Sequence, residues 1–333
     1  SLNVQKGIAV AVVVFSFATL DIGGIGTVLN LALAFMLSAR GWSDSRSAQW
    51  PSFRGRGAAG VSEGKPTPLV WNVGESKNLK WTTPIPGLGH SSPIVWGDRL
   101  FVTTAVSGEG EPQLKVGMYG DVEPVDENGT QTWKLYCLDT RSGKVLWERT
   151  ARTSAPKIKR HPKSSHANST PATDGNHVVA FFGSEGLFCY NMAGKLLWKA
   201  DLGILDSGFF RMPSMQWGFG SSPIIHNGRV IVQCDVQKNS FLAAYEVKTG
   251  REIWRTPRDE VPTWSVPTIV GSGVKSQIVT NGFKHIGGYA FLTGKEVWRL
   301  KGGGDIPVPT PVVGDGLIFI TNAHGGKSPI YAV

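Results

Sequence analysis

From about residue 90 onward, apolar and polar positions alternate along short runs, and clusters of Gly, Asn, Asp and Thr break the runs at regular intervals. Residues 221–236, SSPIIHNGRVIVQCDV, read as a short strand, a tight turn at His226-Asn227-Gly228 and a second strand rich in Val and Ile. Residues 240–254, SFLAAYEVKTGREIW, add a third strand, a turn at Lys248-Thr249-Gly250 and a fourth strand ending on Trp254. No stretch after residue 60 keeps a helical period with caps.

The end of this unit recurs. RSGKVLW at 141–147, MAGKLLW at 192–198, KTGREIW at 248–254 and LTGKEVW at 292–298 share the order Gly, a basic residue, two more residues, then Trp. A Pro anchor precedes each copy, at Ser92-Pro93, Thr170-Pro171, Ser222-Pro223 and Val266-Pro267, and Thr310-Pro311 begins another. Those prolines are 78, 52, 44 and 44 residues apart, so 44 is the bare unit and the longer steps carry insertions. Four antiparallel strands repeated at this period predict an all-β chain, a β-propeller of four-stranded blades. The blades fall at about 91–149, 169–199, 221–255 and 265–299, with a partial one at 309–333, about 4.5 in all. Trp147, Trp198, Trp254 and Trp298 are expected to be structural, one flat side chain per blade filling the gap between neighbouring sheets. Residues 78–82, beginning Asn78-Leu79-Lys80-Trp81, read as an isolated fourth strand that would close the ring.

These phrases also carry a resemblance. SSPIVWGDRLFVTT, LYCLDTRSGKVLW and AAYEVKTGREIW resemble the repeats of propellers similar to those that bind pyrroloquinoline quinone (PQQ). That superfamily includes quinoprotein alcohol dehydrogenases and the outer-membrane assembly lipoprotein BamB. The resemblance covers roughly residues 49–333, and the opening WPSFRGRGAAGVSEG followed by NLKW is similar to secreted or periplasmic bacterial members. It implies seven or eight blades, hence a ring truncated at its C-terminus, since an open arc leaves strand edges unpaired. Such blades serve enzymes, scaffolds and sensors alike, so the resemblance specifies fold more than function.

Residues 1–48 form a separate segment. Between Gly7 and Ala39 only Asp21 is charged, with Lys6 before and Arg40 after. The pattern fits an export signal; a retained anchor through residues 7–37 and translation upstream of a true start are the alternatives. Periplasmic or secreted localisation follows from the first reading. No Cys precedes Cys137, so a lipidation site is missing and the chain departs there from the BamB pattern. Cys137, Cys189 and Cys234 all fall in strand phrases and are expected to be buried thiols.

Composition changes the picture little. Forty-two Gly and twenty Pro supply turns rather than disorder, because 41% of the 333 residues are hydrophobic. The net charge of +9 is scattered, with no basic run to suggest a nucleic-acid face.

Blade topology restricts where a site can lie. Turns between strands one and two, and three and four, share one face and are minimal. Connections between strands two and three, and between blades, share the other face. There the insert 107–131 and the connections 150–168 and 200–220 are long. They either carry function or pack on one another as a cover. The candidate ligand-binding residues are Arg160, His161, Lys163, His166 and Asn168, followed by Arg211, Gln216 and Trp217, then Arg258 and Trp264, then Asp305. Cations beside a central opening suit a carboxylate or phosphate. His161 and His166 lack a third ligand nearby in sequence, so no metal is expected.

Two function classes follow. The first is a non-enzymatic, exported, monomeric propeller presenting its long-loop face to a protein, a peptide or an acidic envelope ligand, with no cofactor and no nucleic acid. The alternative is a dehydrogenase of alcohols or sugars, in which PQQ and calcium sit on the axis and Asp235, Asp259 or Asp305 is the base. The adjacent Cys pair of several quinoprotein alcohol dehydrogenases is missing, and no nucleophile motif, phosphate loop or zinc signature occurs, so no catalytic residue is assigned.

Overall fold

The computed structural model describes residues 49–62, 67–110, 112, 114–115, 123–322 and 328–333. The apolar segment at 1–48 and the middle of the 107–131 insert lie outside the described residues. No helix among the described residues is long and apolar enough to cross a membrane.

The fold is the expected β-propeller. Blade one comprises Ile94–Trp96, Arg99–Ser107, Gln131–Asp139 and Val145–Ser154. Blade two is Ala172–Thr173, His177–Phe181, Leu187–Asn191 and Leu196–Ala200. Blade three is Ile224–His226, Arg229–Cys234, Phe241–Glu246 and Glu252–Pro257. Blade four is Thr268–Val270, Gln277–Thr280, His285–Ala290 and Glu296–Lys301. A three-stranded fifth sheet holds Val312–Gly314, Leu317–Thr321 and Ile330–Ala332. Every sheet runs in simple sequence order with antiparallel neighbours, as hairpin chemistry dictates. Asn227 and Gly228, with φ of 43° and 74°, make the left-handed pair that a two-residue hairpin requires.

The core lies between the blades. One apolar cluster joins blades one and two through Phe101, Trp133, Val178 and Phe188. The others join blades two and three, three and four, and four and five.

The recurrent Trp and the recurrent Gly turn out to be partners across that gap. The indole N–H of Trp147 donates to Met192 O at 3.1 Å, that of Trp198 to Val247 O at 2.8 Å and that of Trp254 to Phe291 O at 3.2 Å, each in the next blade. The rings lie on Gly194, Gly250 and Gly294, where an added Cβ would come within 2.8, 2.5 and 2.4 Å of the ring. Those glycines also have φ between 71° and 80°, so only Gly satisfies both demands. Behind each ring the facing residue on strand three is small: Cys137, Cys189, Ala244 and Gly288 pair with Trp147, Trp198, Trp254 and Trp298, each beside a β-bulge. Packing room therefore explains two of the three cysteines, and all three are buried free thiols.

Residues 78–82 form no strand; they follow an isolated bridge between Asn72 and Lys77. Trp81 nevertheless docks on blade one as the strand-four Trp residues dock on later blades. Its N–H donates to Thr140 O at 3.0 Å and its ring covers Gly143. Trp298 differs, donating to Gln277 Oε1 of its own blade at 2.7 Å.

Candidate functional site

The strand-one anchors build the wall of a site. Ser92 N donates to Thr170 Oγ1, and Thr170 N donates to Ser222 Oγ, both at 2.9 Å, so successive blades are tied by the hydroxyl that precedes the Pro. Each hydroxyl acts there as an acceptor. The hydrogens of Thr170 and Ser222 have no acceptor among the described residues and remain able to donate. Val266 stands at the next equivalent position and interrupts the series.

Below these hydroxyls the segment Gln49–Ala58 crosses the inner edges of the blades. Gln49–Trp50 pairs with Val95 and Trp96, Pro51 O accepts from Thr173 N, and the short 3-10 turn Arg56–Ala58 packs on the first strands of blades four and five. Phe53 from this segment and His90, Ser164, Asn168, Thr170, Trp217, Ser222, Trp264, Val266 and Val308 line a pocket of about 290 Å3 on the long-loop side. No Asp, Glu, Lys or Arg lines it. Trp217 carries a buried indole N–H with no partner among the described residues, a costly arrangement unless something accepts from it. His90 sits exposed at the edge; partial desolvation first and the Arg160 charge second lower its pKa, which keeps the ring neutral at pH 7.

An aromatic layer borders the pocket. Phe209 stacks on Trp217 at 5.1 Å with a 6° interplanar angle, Trp217 meets Trp264 at 5.3 Å, and His161 meets Trp217 edge-on at 6.1 Å. Phe209 belongs to the hairpin Gly208–Phe209 and Met212–Gln216, which reaches from the blade two–three connection toward later blades. Its tip is held by Arg211 on Asp305 Oδ1 at 2.8 Å and by Phe210 against Phe283 at 4.6 Å. Gln216 braces the hairpin base, accepting from Ser207 N and donating to Asp206 Oδ1. Trp264 donates to Gly218 O at 2.8 Å.

The remaining candidates are engaged in local structure. Arg160 is buried and grips Glu127 with Nε and Nη2 while Nη1 donates to Ser164 O. His166 Nε2 lies 3.0 Å from the other Glu127 oxygen, so Arg160 and His166 fasten the described end of the 107–131 insert to the blade one–two connection. Burial pushes the Glu127 pKa up, but hydrogen bonds from His166 and Arg160 and their charges outweigh it and bring it down to about 2. Asn168 Oδ1 accepts from Ser164 and Ser165, and its amide donates to Phe219 O. Lys163 N donates to His161 Nδ1 at 3.0 Å. Arg258 is fully buried, bidentate on Asp235 and donating to Thr280 Oγ1 and Tyr289 Oη. Of the expected ligand-binding residues, Asn168, Trp217 and Trp264 thus share one pocket, and Arg211 with Asp305 spans two connections near it.

The three carboxylates named as bases each hold a cation: Asp235 with Arg258, Asp259 with Lys284 and Asp305 with Arg211. Among the described residues no group of three or more His, Cys, Asp or Glu gathers that could hold a metal ion. Among the described residues, the carboxylates considered for a calcium–quinone pair are therefore already in ion pairs. Phe53, His90, Thr170 and Ser222 were not singled out as binding residues. The Ser or Thr before Pro93, Pro171, Pro223 and Pro311 was visible as a blade marker, but the free hydrogen of Thr170 and of Ser222 follows from inter-blade register.

Comparison with known proteins places this geometry. A family model described as outer membrane protein assembly factor BamB matches residues 134–326. The tetrathionate hydrolase of Acidithiobacillus ferrooxidans is 30% identical over 284 residues, covering 74% of this chain and 52% of that protein. A europium-containing methanol dehydrogenase superposes with a TM-score of 0.51 at 12% identity, covering 86% of this chain and 54% of its own. BamB from Moraxella catarrhalis gives a TM-score of 0.41 at 14% identity, over 74% of this chain and 73% of that one. The chain spans about half the length of the hydrolase and of the dehydrogenase. At 12% identity the dehydrogenase speaks to fold only.

Proposed function

We propose, from the premise that this chain belongs to the PQQ-repeat propeller family described as outer membrane protein assembly factor BamB, that it is an exported binding propeller which seats a small oxyanion at its axis. One observation carries the reading. The axial pocket is lined by Thr170 and Ser222, whose hydroxyls serve only as acceptors among the described residues, and by Trp217, whose buried indole N–H is unpartnered, with no carboxylate to repel an anion. Uncharged donors in a partly desolvated site hold sulfonate or carboxylate oxygens without burying a cation. Thr170, Ser222 and Trp217 are the donors in this account, Asn168 and Trp264 line the pocket beside them, and the net charge of +9 favours approach of an anion. Tetrathionate, named for the relative, is the first probe because its ends are sulfonates and because that relative covers most of this chain. Binding is placed ahead of catalysis because every carboxylate considered as a base is held in an ion pair.

Titration calorimetry with tetrathionate and with sulfate tests the proposal. Trp217→Phe keeps an aromatic ring and removes the donor, and loss of one hydrogen bond to a charged oxygen weakens affinity at least about tenfold. Ser222→Ala is the second variant. Absence of tetrathionate binding at millimolar concentration, or affinity unaltered from the parent chain in both variants, removes the idea. Saturable binding of PQQ with calcium while tetrathionate stays inert would replace it with the dehydrogenase reading.

A further inference from the structure

A second cavity, of about 380 Å3, lies between blades two and three and shares no lining residue with the axial pocket. One wall is Leu202–Leu205, the start of the blade two–three connection. The other is the turn from Val236 to Ser240 in blade three, with Phe241, Arg255 and Pro257 between them. Both blades are complete four-stranded sheets, so the groove is built within this chain. Its lining is mostly apolar, and Ile204 stands at the edge with 66% of its surface exposed.

The charged residues that line it are Lys238 and Arg255; Glu252, the carboxylate that pairs with Arg255, stands outside the lining. Arg255 is held in place from three sides. Its guanidinium carbon sits 3.8 Å from the Phe241 ring centroid. Nε and Nη2 donate to Glu252 Oε2 at 3.0 and 2.7 Å, and Nη2 also donates to Tyr245 Oη at 2.9 Å. Nη1 makes no hydrogen bond among the described residues. A guanidinium stacked on a ring and fixed by two partners loses little freedom when it engages an anion. Lys238 is exposed on the turn and adds a mobile second charge.

We propose that this groove binds a small amphipathic anion, a carboxylate or sulfonate head on an aliphatic or aromatic body. The head meets Arg255 Nη1 and Lys238, and the body lies along Leu202, Ile204 and Val236. A groove of this volume falls in the ordinary range of small-molecule sites, with apolar walls and few polar anchors.

The test uses the whole chain, with 8-anilinonaphthalene-1-sulfonate as the fluorescent probe and decanoate and decanol as competitors. Saturable fluorescence, displaced by decanoate and at least about tenfold less well by decanol, is expected, since the alcohol lacks the charge. Lys238→Met weakens probe binding several-fold and Arg255→Met about tenfold or more. Ile204→Ser, an exposed change that leaves folding intact, weakens it through lost apolar contact. Trp217→Phe leaves it unchanged, which separates this groove from the axial pocket. No saturable signal, equal displacement by acid and alcohol, or unaltered affinity in Lys238→Met and Ile204→Ser would overturn the proposal.

Discussion

Replacing Gly250 with alanine isolates the contact that ties one blade to the next. Two costs arise there. The backbone has φ of 74°, where an L-residue loses about 1–2 kcal/mol. The new Cβ would also stand 2.5 Å from Cδ2 of Trp198, in a wall that is 8% exposed and cannot yield freely. Overpacking of that kind adds about 1–3 kcal/mol, so Gly250→Ala costs about 2–5 kcal/mol in total. Gly228 is the matched control, because its φ is also 74° yet nothing lies within 4 Å of its Cβ. Gly228→Ala therefore costs only the backbone part, about 1–2 kcal/mol. In a Trp198→Leu background the wall recedes, and Gly250→Ala falls toward the cost of the control, a coupling of about 1–3 kcal/mol. Urea titrations followed by far-ultraviolet circular dichroism, with slopes compared before free energies, measure all five proteins. Equal costs for the two alanine variants, or a difference that survives Trp198→Leu, would refute the account of why Gly and Trp recur together.

Arg258→Met strands the buried Asp235 carboxylate and costs about 3–5 kcal/mol, whereas Arg258→Met with Asp235→Leu recovers much of it; thermal denaturation of both variants decides this. Glu127 titrates at about 2 in the folded chain against an ordinary 4.5, so its contribution is full above 4.5 and is lost as the pH falls toward 2. Glu127→Gln therefore lowers stability at neutral pH and flattens its decline between those values. An unchanged acid limb in a pH series of urea midpoints would count against the Arg160–Glu127–His166 fastening.

Much of the architecture was legible because it rests on local chemistry repeated along the chain. The turn at His226-Asn227-Gly228 and the alternation on either side predict a hairpin without reference to any other blade, and the hairpin is there. The Gly–basic–x–x–Trp phrase marked the fourth strand for the same reason. Its pairing rule was hidden, since the Gly of one copy serves the Trp of the copy before it. Trp81 looked like the end of a strand; what the structure retains is its docking on Gly143 and Thr140.

The candidate site divides the same way. Loop lengths pointed to the long-loop face, and Asn168, Trp217 and Trp264 meet there in one pocket. Arg160 and Arg258 looked like ligand cations because a sequence shows charge and not the carboxylate facing it. Glu127 and Asp235 lie 33 and 23 residues away from them in the chain.

By itself, then, the order of residues determined the strands, their turns, the all-β class and the face on which the long connections gather. Each depends on neighbours within one hairpin or one repeat. The tertiary structure decided which charges are neutralised, which hydroxyl hydrogens remain free, and where the segment around Phe53 lies across the blades. Those depend on register between blades, and register is set by packing among residues distant in the chain.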